Sequence, residues 1–570
     1  MNIFLPFQNN FLNKRFAIFL CFTLLLGKAS SQDLKSDLPE NNGMSSLRLS
    51  NIDSVFLGYV TNKKLPGAVI LIARNGNITY HKSFGMSDLE TQVPMTNDKI
   101  FRIASQTKAL VSVGIMMLQE EGKLLLSDSL SRYIPEFEQS TVEELIKKVK
   151  AGISDPELAW MFEKCYPITL DTTVDYEEID GKPDSFIITG DIDAMWLRDS
   201  TAQVWPYMPL IDKDDKIKNL ILGLINRQVK CILTDPYANA FFKDLNRISK
   251  WSSDVPTPKP GVHKRKWEID SLCYFIRLSY NYYKISGDTE FMDKDWHKAV
   301  KLVYNTFRNE QRIENESPYS FARENSFAVS LAPFHGRGAP TRKIGMIHSI
   351  FRTSDDGTIY PFLVPSNIFA YVSLEQISEL YNVNDYDTEF SKKCLSFSYE
   401  VKSAVEKYAT KEHLDYGKIY AYEIDGFGNA IFMDDANVPS LISLAYIGGH
   451  SNNDAIYQNT RRFLTSDDNP YFLKGKVAEG QASPHTGKEN IWPMGIILRG
   501  LTSVKDDEII MCLKMLKATH AGTGFMHESF HKDDAHNYSR SWFAWANTLF
   551  GELIIKLHNE RPMILKNNQF

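Results

Sequence analysis

At 570 residues and 43% hydrophobic content, the chain exceeds what one small core can use, and two or more folded units are expected. A formal charge of −6, from 64 basic and 70 acidic side chains, gives no basic footprint for nucleic acid or an anionic membrane, so a neutral polar ligand is the natural inference. Aromatics make up 12%, with 9 Trp and 26 Tyr; many fill the core of a large helical protein, and those in polar loops suit sugar stacking.

Residues 1–31 place Lys14 and Arg15 before an apolar run from Phe16 to Gly27 and end in Ala29-Ser30-Ser31. A charged start, an apolar run too short to span a bilayer as a dedicated helix and a small-residue end predict a cleaved export signal, with the mature chain periplasmic or extracellular. Cys21 in this run lacks the preceding small residue that a lipoprotein signal needs, and no later stretch is long and apolar enough for a membrane helix. Cys165, Cys231, Cys273, Cys394 and Cys512 are dispersed and odd in number, so they indicate neither a disulfide framework nor a zinc ribbon and read as buried small hydrophobes.

Gly67–Arg74 and Ile78–Gly85 then predict a hairpin about Asn75-Gly76-Asn77, because Asn-Gly between β-rich runs favours a tight turn. Phe101-Arg-Ile-Ala-Ser-Gln-Thr-Lys108 leads into an amphipathic helix, Ala109 to Glu121. This portion, a small α+β fragment over 46–137, resembles the start of the serine β-lactamase and penicillin-binding-protein-like family, with Ser105 and Lys108 at its Ser-x-x-Lys positions. The resemblance stops after Tyr133-Ile-Pro-Glu-Phe137. Tyr457-Gln-Asn459 and His485-Thr-Gly487, which copy the family's later elements, come hundreds of residues too late. A hairpin with one helix cannot bury its faces as the full fold does, so an inactive fragment is expected.

From about Ser140 apolar residues recur at three and four. The pattern predicts helices over 143–150, 155–164, 216–230, 268–284, 295–310, 367–381, 437–447, 491–502, 506–517 and 542–557. About a dozen helices separated by loops rich in Gly, Pro, Trp, Asp and His predict an all-α toroid of helical hairpins, with the site built by loops at one rim.

Those loops are dense in carboxylates. Gly190-Asp-Ile-Asp-Ala-Met-Trp-Leu-Arg-Asp-Ser200 sets acids beside Trp196 and Arg198, which suits a sugar, or equally an acidic turn with Asp193 as a helix cap. Phe351-Arg-Thr-Ser-Asp-Asp-Gly357 reads either as a plain turn or as two like charges close enough to push one pKa up, as a general acid requires. Met433-Asp-Asp-Ala-Asn437 precedes a predicted helix and reads as a cap. His527-Glu528-x-x-His531 matches the zinc metallopeptidase pattern, which needs both His on one helical face. Gly522, Gly524 and Lys532-Asp533-Asp534 predict a loop instead, so no metal is expected and Glu528 reads as a general base.

Gly190–Ser200, Lys266-Trp-Glu-Ile-Asp-Ser271, Gly336-Arg-Gly-Ala-Pro340, Phe351–Asp356, Met433-Asp-Asp-Ala-Asn-Val-Pro439, Ser483-Pro-His-Thr-Gly487, Ile491-Trp-Pro493, His527-Glu-Ser-Phe530 and Ser541-Trp-Phe-Ala-Trp-Ala-Asn547 together resemble glycoside hydrolase family 125, over about residues 140–560. The resemblance implies an (α/α)6 barrel and a metal-independent, cofactor-free, inverting exo-α-1,6-mannosidase acting on mannose-containing oligosaccharides. Carried over by motif, the general acid is Asp355 or Asp356 and the general base Glu528. Asp191, Asp193, Trp196, Arg198, Asp199, Glu268, Asp270, Arg337, His485 and Trp492 are then expected to hold the terminal mannose. Where the family carries Pro and Ala around its acids, this chain has Thr353 and Gly357. Two other classes compete: a serine hydrolase using Ser105 and Lys108, and a carbohydrate-binding protein without turnover, which the presence of both acid and base disfavours. Neither the polymer attacked, mannan or N-glycan, nor the choice between the adjacent Asp residues follows from sequence.

Overall fold

A computed structural model describes residues 34–126, 140–314, 316–323 and 332–570. The predicted export signal and the Tyr133–Phe137 end of the β-lactamase-like resemblance lie outside them. The chain divides into two compact units, Met1–Ser129 and Leu130–Phe570. Among the described residues no helix is long and apolar enough to cross a membrane.

In the first unit, strands Gly67–Arg74 and Asn77–Asp88 pair antiparallel about the expected turn, with Arg74 opposite Asn77. Asn75 (φ 53°) and Gly76 (φ 77°) both take the left-handed conformation that such a two-residue turn requires. Helix Ser46–Thr61 starts on the Ser45 side chain, which accepts from Arg48 N, and a small core of Leu49, Tyr80 and Phe84 joins helix to sheet. Helix Gln106–Glu120 buries none of its residues, and its Leu110, Val111 and Met117 are more than half exposed. The fragment thus leaves open the faces that a complete fold would cover, and Ser105 and Lys108 are themselves exposed.

The second unit is helical. Helix Thr141–Lys150 opens on Ser140, whose hydroxyl accepts from Glu143 N at 3.1 Å, and turns Val142, Ile146 and Val149 into the main core. Helix Leu197–Val204 packs on Ile269–Ser286, which packs on Val364–Asn382; Pro493–Leu501 packs on Ala544–Glu560, which returns to Leu197–Val204. A second set, Asp215–Thr234, Lys294–Glu310, Thr388–Tyr408 and Asp506–Ala518, packs on this first set.

Two elements depart from expectation. Residues 437–447 form bends followed by turns rather than a helix, beside Val364–Asn382, where the Tyr371 hydroxyl donates to Gly449 O at 3.2 Å. Asp434 reaches into this segment, accepting from Leu441 N (2.8 Å) and Ile442 N (3.0 Å), and Pro439 has no N–H to offer a helical ladder. Conversely, Thr388–Tyr408 was not anticipated, although Phe390, Cys394, Phe397, Val401, Ala404 and Val405 form its buried stripe. The five dispersed cysteines are free and buried.

Helix Asp215–Thr234 lies against the hairpin Val174–Ile179/Lys182–Ile187, and Gly223 marks the point of closest approach. A Cβ there would stand 2.9 Å from Ser185 N and 3.0 Å from Asp184 N. Gly223→Ala is therefore expected to lower the unfolding free energy by about 1–3 kcal/mol, measured by urea denaturation; an unchanged midpoint would show that helix and hairpin separate freely.

Candidate active site

Short sheets carry the chain into the first turns of the first helix set. Met195–Trp196 pairs with Ala240–Phe241 and this with Val262–Lys264, while Asn490–Ile491 pairs with Ser529–His531 and this with Asp534–Ser539. The helices that follow begin with Trp196, Glu268, Leu363, Trp492 and Phe543 in their cap positions. Trp196, not Asp193, caps Leu197–Val204. Around these starts opens a cavity of about 100 Å³, with Trp196, Trp492, Phe543 and Trp545 as aromatic walls. Arg198, Asp199, Asp355, His485, Glu528 and Arg540 supply its charged and polar groups.

The adjacent acids separate. Asp355 takes φ 67° in a turn closed by Arg352 N to Asp356 O (2.7 Å), and its carboxylate faces the cavity. Its Oδ1 accepts from Asn239 Nδ2 (2.8 Å) and its Oδ2 from Lys264 Nζ (2.7 Å), while Lys266 Nζ donates to its backbone carbonyl. Burial alone would raise this carboxyl, but Lys264 and Lys266 outweigh it and hold Asp355 well below the usual carboxylate range. The expected mutual elevation of paired acids is thus not what governs Asp355; its cationic neighbours do. Asp356 is buried and turns the other way, with Oδ1 3.2 Å from His485 Nδ1. That contact holds His485 above its ordinary range.

Beneath the cavity lies a buried charge cluster. One Nη of Arg198 donates to Glu268 Oε2 (2.7 Å) and Asp270 Oδ2 (2.8 Å), and Nε stands 3.8 Å from Asp199 Oδ2. Three carboxyls about one guanidinium cannot all ionise cheaply. Burial pushes Glu268 up to about 8 against the pull of Arg198, with Asp355 and Asp270 adding to the rise. Asn239 Nδ2 reaches both Glu268 Oε1 (3.1 Å) and Asp355, joining this cluster to the cavity.

Glu528 faces the cavity at the entrance to strand Ser529–His531, with Oε2 accepting from Ser539 Oγ (3.0 Å) and Oε1 3.4 Å from Arg540 Nε. No helix is formed here, so the register of a zinc signature is absent. His527 is buried flat on Tyr538, ring centroids 3.7 Å apart, with Nδ1 2.9 Å from Ser541 O. His531 approaches Glu489 and Asp533, but the Lys532 ammonium already pairs with those acids at 2.8 and 2.6 Å.

Of the other expected residues, Trp196, Arg198, Asp199, His485 and Trp492 line the cavity, while Glu268 and Asp270 stand beneath it. Asp191 is mostly exposed and lies 3.6 Å from Arg540; Asp193 is exposed and pairs with Arg247; Arg337 is exposed and pairs with Glu316. None of these three lines the cavity. Sequence reasoning passed over Asn239 and Lys264 and gave Lys266, the first residue of a matched motif, no role in the site. The basic run His263-Lys-Arg-Lys266 leading into that motif was the available signal. Tyr457, met in a coincidental motif, is a buried helix residue donating to Ile442 O at 2.6 Å.

Glu268 binds its proton more firmly in the folded chain than in the unfolded one. The stability it contributes is therefore full below the ordinary glutamate range and is lost as pH rises through about 8. Glu268→Gln is expected to remove that alkaline decline, read as thermal midpoints between about pH 5 and pH 9; an unchanged slope would assign the decline elsewhere.

Comparison with known proteins agrees with this geometry. The chain matches the family described as metal-independent alpha-mannosidase (GH125) over residues 155–555 and the β-lactamase family over 52–147. The Schizosaccharomyces pombe meiotically up-regulated gene 157 protein is 38% identical over 450 residues, 76% of this chain and 88% of its own length. A metal-independent alpha mannosidase structure from Streptococcus pneumoniae, in a non-productive complex with alpha-1,6-mannobiose, is 40% identical with TM-score 0.71, covering 74% of this chain and 98% of that one. On the N-terminal side, esterase EstB of Burkholderia gladioli is 38% identical over 88 residues, and this chain spans only 22% of its length. The match over 155–555 and the relatives it brings place this chain in glycoside hydrolase family 125: it is a metal-independent α-mannosidase preceded by a β-lactamase-like segment.

Proposed function

We propose that the protein is an exported, exo-acting, inverting α-1,6-mannosidase built on an (α/α)6 barrel, with Asp355 as general acid and Glu528 as general base. The observation that carries the reading is that these two carboxylates, from loops 173 positions apart in sequence, line one aromatic-walled cavity. Asp356 lies behind the site as the partner of His485. The packing of Leu197–Val204 between Ile269–Ser286 and Ala544–Glu560, of Ile269–Ser286 on Val364–Asn382 and of Pro493–Leu501 on Ala544–Glu560 supports the barrel. The mannobiose held by the pneumococcal relative supports the linkage.

In this mechanism Glu528 takes a proton from a water attacking the anomeric carbon while Asp355 protonates the leaving oxygen. Inversion requires the two carboxyls about 6.5–9.5 Å apart, enough for that water. Arg198 and Asp199 offer charge-assisted hydrogen bonds to the sugar hydroxyls, and Trp492 and Trp545 offer faces for its apolar side. The positive charge that develops on the ring needs no metal.

Glu528→Gln keeps the shape and removes the base, so mannose release from α-1,6-mannobiose should fall by about 10²–10⁴-fold with the circular dichroism spectrum unchanged. Wild-type turnover in that variant would refute the assignment. Proton NMR of the first product should show β-mannose, and EDTA should leave the rate unaltered; an α-anomer first, or activity that follows zinc occupancy, would decide otherwise.

Removing residues 32–137 should leave the mannosidase rate unchanged, because the resemblance to the family lies downstream of them. The competing serine hydrolase reading expects covalent labelling of Ser105 by a β-lactam, which the fragment is not expected to show.

A further inference from the structure

We propose that the site takes mannose-terminated glycolipids: the leaving end of the substrate carries a hydrocarbon tail, and this tail lodges in an apolar groove beside the catalytic cavity. The proposal rests on the reading of the cavity as the site of an exo-acting mannosidase and names what lies on its leaving side.

The groove, of about 800 Å³, is of the size of a ligand site and far larger than the cavity. Its walls include Phe334, Ile359, Ile431, Phe432, Met433 and Tyr471. Two loops divide it from the cavity, each by a single step of the chain. Asp355 lines the cavity and the next residues, Asp356 and Gly357, line the groove; His485 lines the cavity and Pro484 the groove. Ile359 leads through Phe362–Leu363 into helix Val364–Asn382, and Pro484 leads into helix Pro493–Leu501, so the groove, like the cavity, is built ahead of starts of the first helix set. Of the two proposed catalytic carboxylates, the acid is the one whose loop borders the groove; Glu528 and its partners Ser539 and Arg540 do not line it. A general acid stands beside the leaving oxygen, and the groove therefore adjoins the leaving side. An exo-acting site keeps one sugar in the cavity, so the rest of the substrate must cross the rim there.

The chemistry of the walls selects the occupant. Their charged members are paired within the protein: Arg352 Nε donates to Glu423 Oε1 (2.6 Å), and Asp356 Oδ1 stands 3.2 Å from His485 Nδ1. Thr358 Oγ1 donates to Ser349 O (2.8 Å), Ile359 N to Glu423 Oε2 (2.9 Å), and Ile431 O accepts from Tyr422 N (2.8 Å). Further sugars would exchange water for walls with few free partners for their hydroxyls, and a peptide would do the same for its amides. A hydrocarbon chain needs no partner. Phe334 and Ile359, 61% and 56% exposed, offer apolar surface for it to cover.

The test compares methyl, butyl and octyl α-1,6-mannobiosides as substrates of the full chain, each below its critical micelle concentration. A methylene removed from water is worth about fourfold in affinity, so kcat/KM should rise along the series and reach about 10- to 100-fold from methyl to octyl, carried by KM. The double variant Phe334→Ser, Ile359→Ser should lose most of this ratio and keep the wild-type rate on the methyl glycoside, which also reports its fold. A flat series in the wild-type chain would overturn the proposal whatever the variant does, and so would a ratio that survives in the folded double variant. A methyl α-1,6-mannotetraoside or a mannobiosyl glycopeptide that gains where the octyl glycoside does not would put sugars or peptide in the groove and overturn it likewise. A wild-type chain that leaves methyl α-1,6-mannobioside uncut would instead overturn the exo-mannosidase reading, and this proposal with it.

Discussion

Arg198, buried at the start of helix Leu197–Val204, is the constraint around which the site is arranged. A guanidinium out of water must be met by acceptors, and Glu268, Asp270 and Asp199 meet it from the same helix and the next one. That requirement fixes Leu197–Val204 against Ile269–Ser286. Asn239 then carries the order outward, bridging Glu268 to Asp355, so Asp355 takes its place at the cavity surface from this charge cluster.

The same arrangement places helix starts at the cavity. Each helix of the first set has unpaired N–H groups in its opening turn, and these with the aligned peptide dipoles favour negative charge there. Asp199 and Asp270 lie in such first turns and Glu268 at a cap position, gathered about Arg198. A rim of helix starts is thus a suitable place to gather carboxylates without a metal ion to hold them.

Much of this was legible in the chain itself. Helical periodicity located most long helices because burial of one stripe leaves a repeat of three and four, and the Asn-Gly pair gave the hairpin because its two positions must turn left-handed. The acid and base motifs pointed to Asp355 or Asp356 and to Glu528, without separating the two adjacent acids. Legibility ended where partners are distant in sequence. Lys264 lies 91 positions from Asp355 and Asn239 lies 116 away, and no local pattern announces either contact. It failed also where polar side chains replace backbone ladders, as Asp434 does in the turns after residue 439. Asp193 and Arg337, although inside matched motifs, pair with exposed partners, because adjacent positions on a loop point apart.

Asp355 sits at φ 67°, a region where short side chains that bond to their own backbone are tolerated and longer ones are disfavoured. Evolution therefore has little freedom to lengthen this side chain to glutamate, although the chemistry proposed for it would permit the change. The neighbour most easily reached is asparagine, which shares the conformation and the size. A single exchange of that kind would leave the turn, the aromatic walls and Arg198 in place and, on the proposed mechanism, end turnover. On that mechanism the fold stands one substitution from a lectin, a sugar receptor with the architecture of a hydrolase.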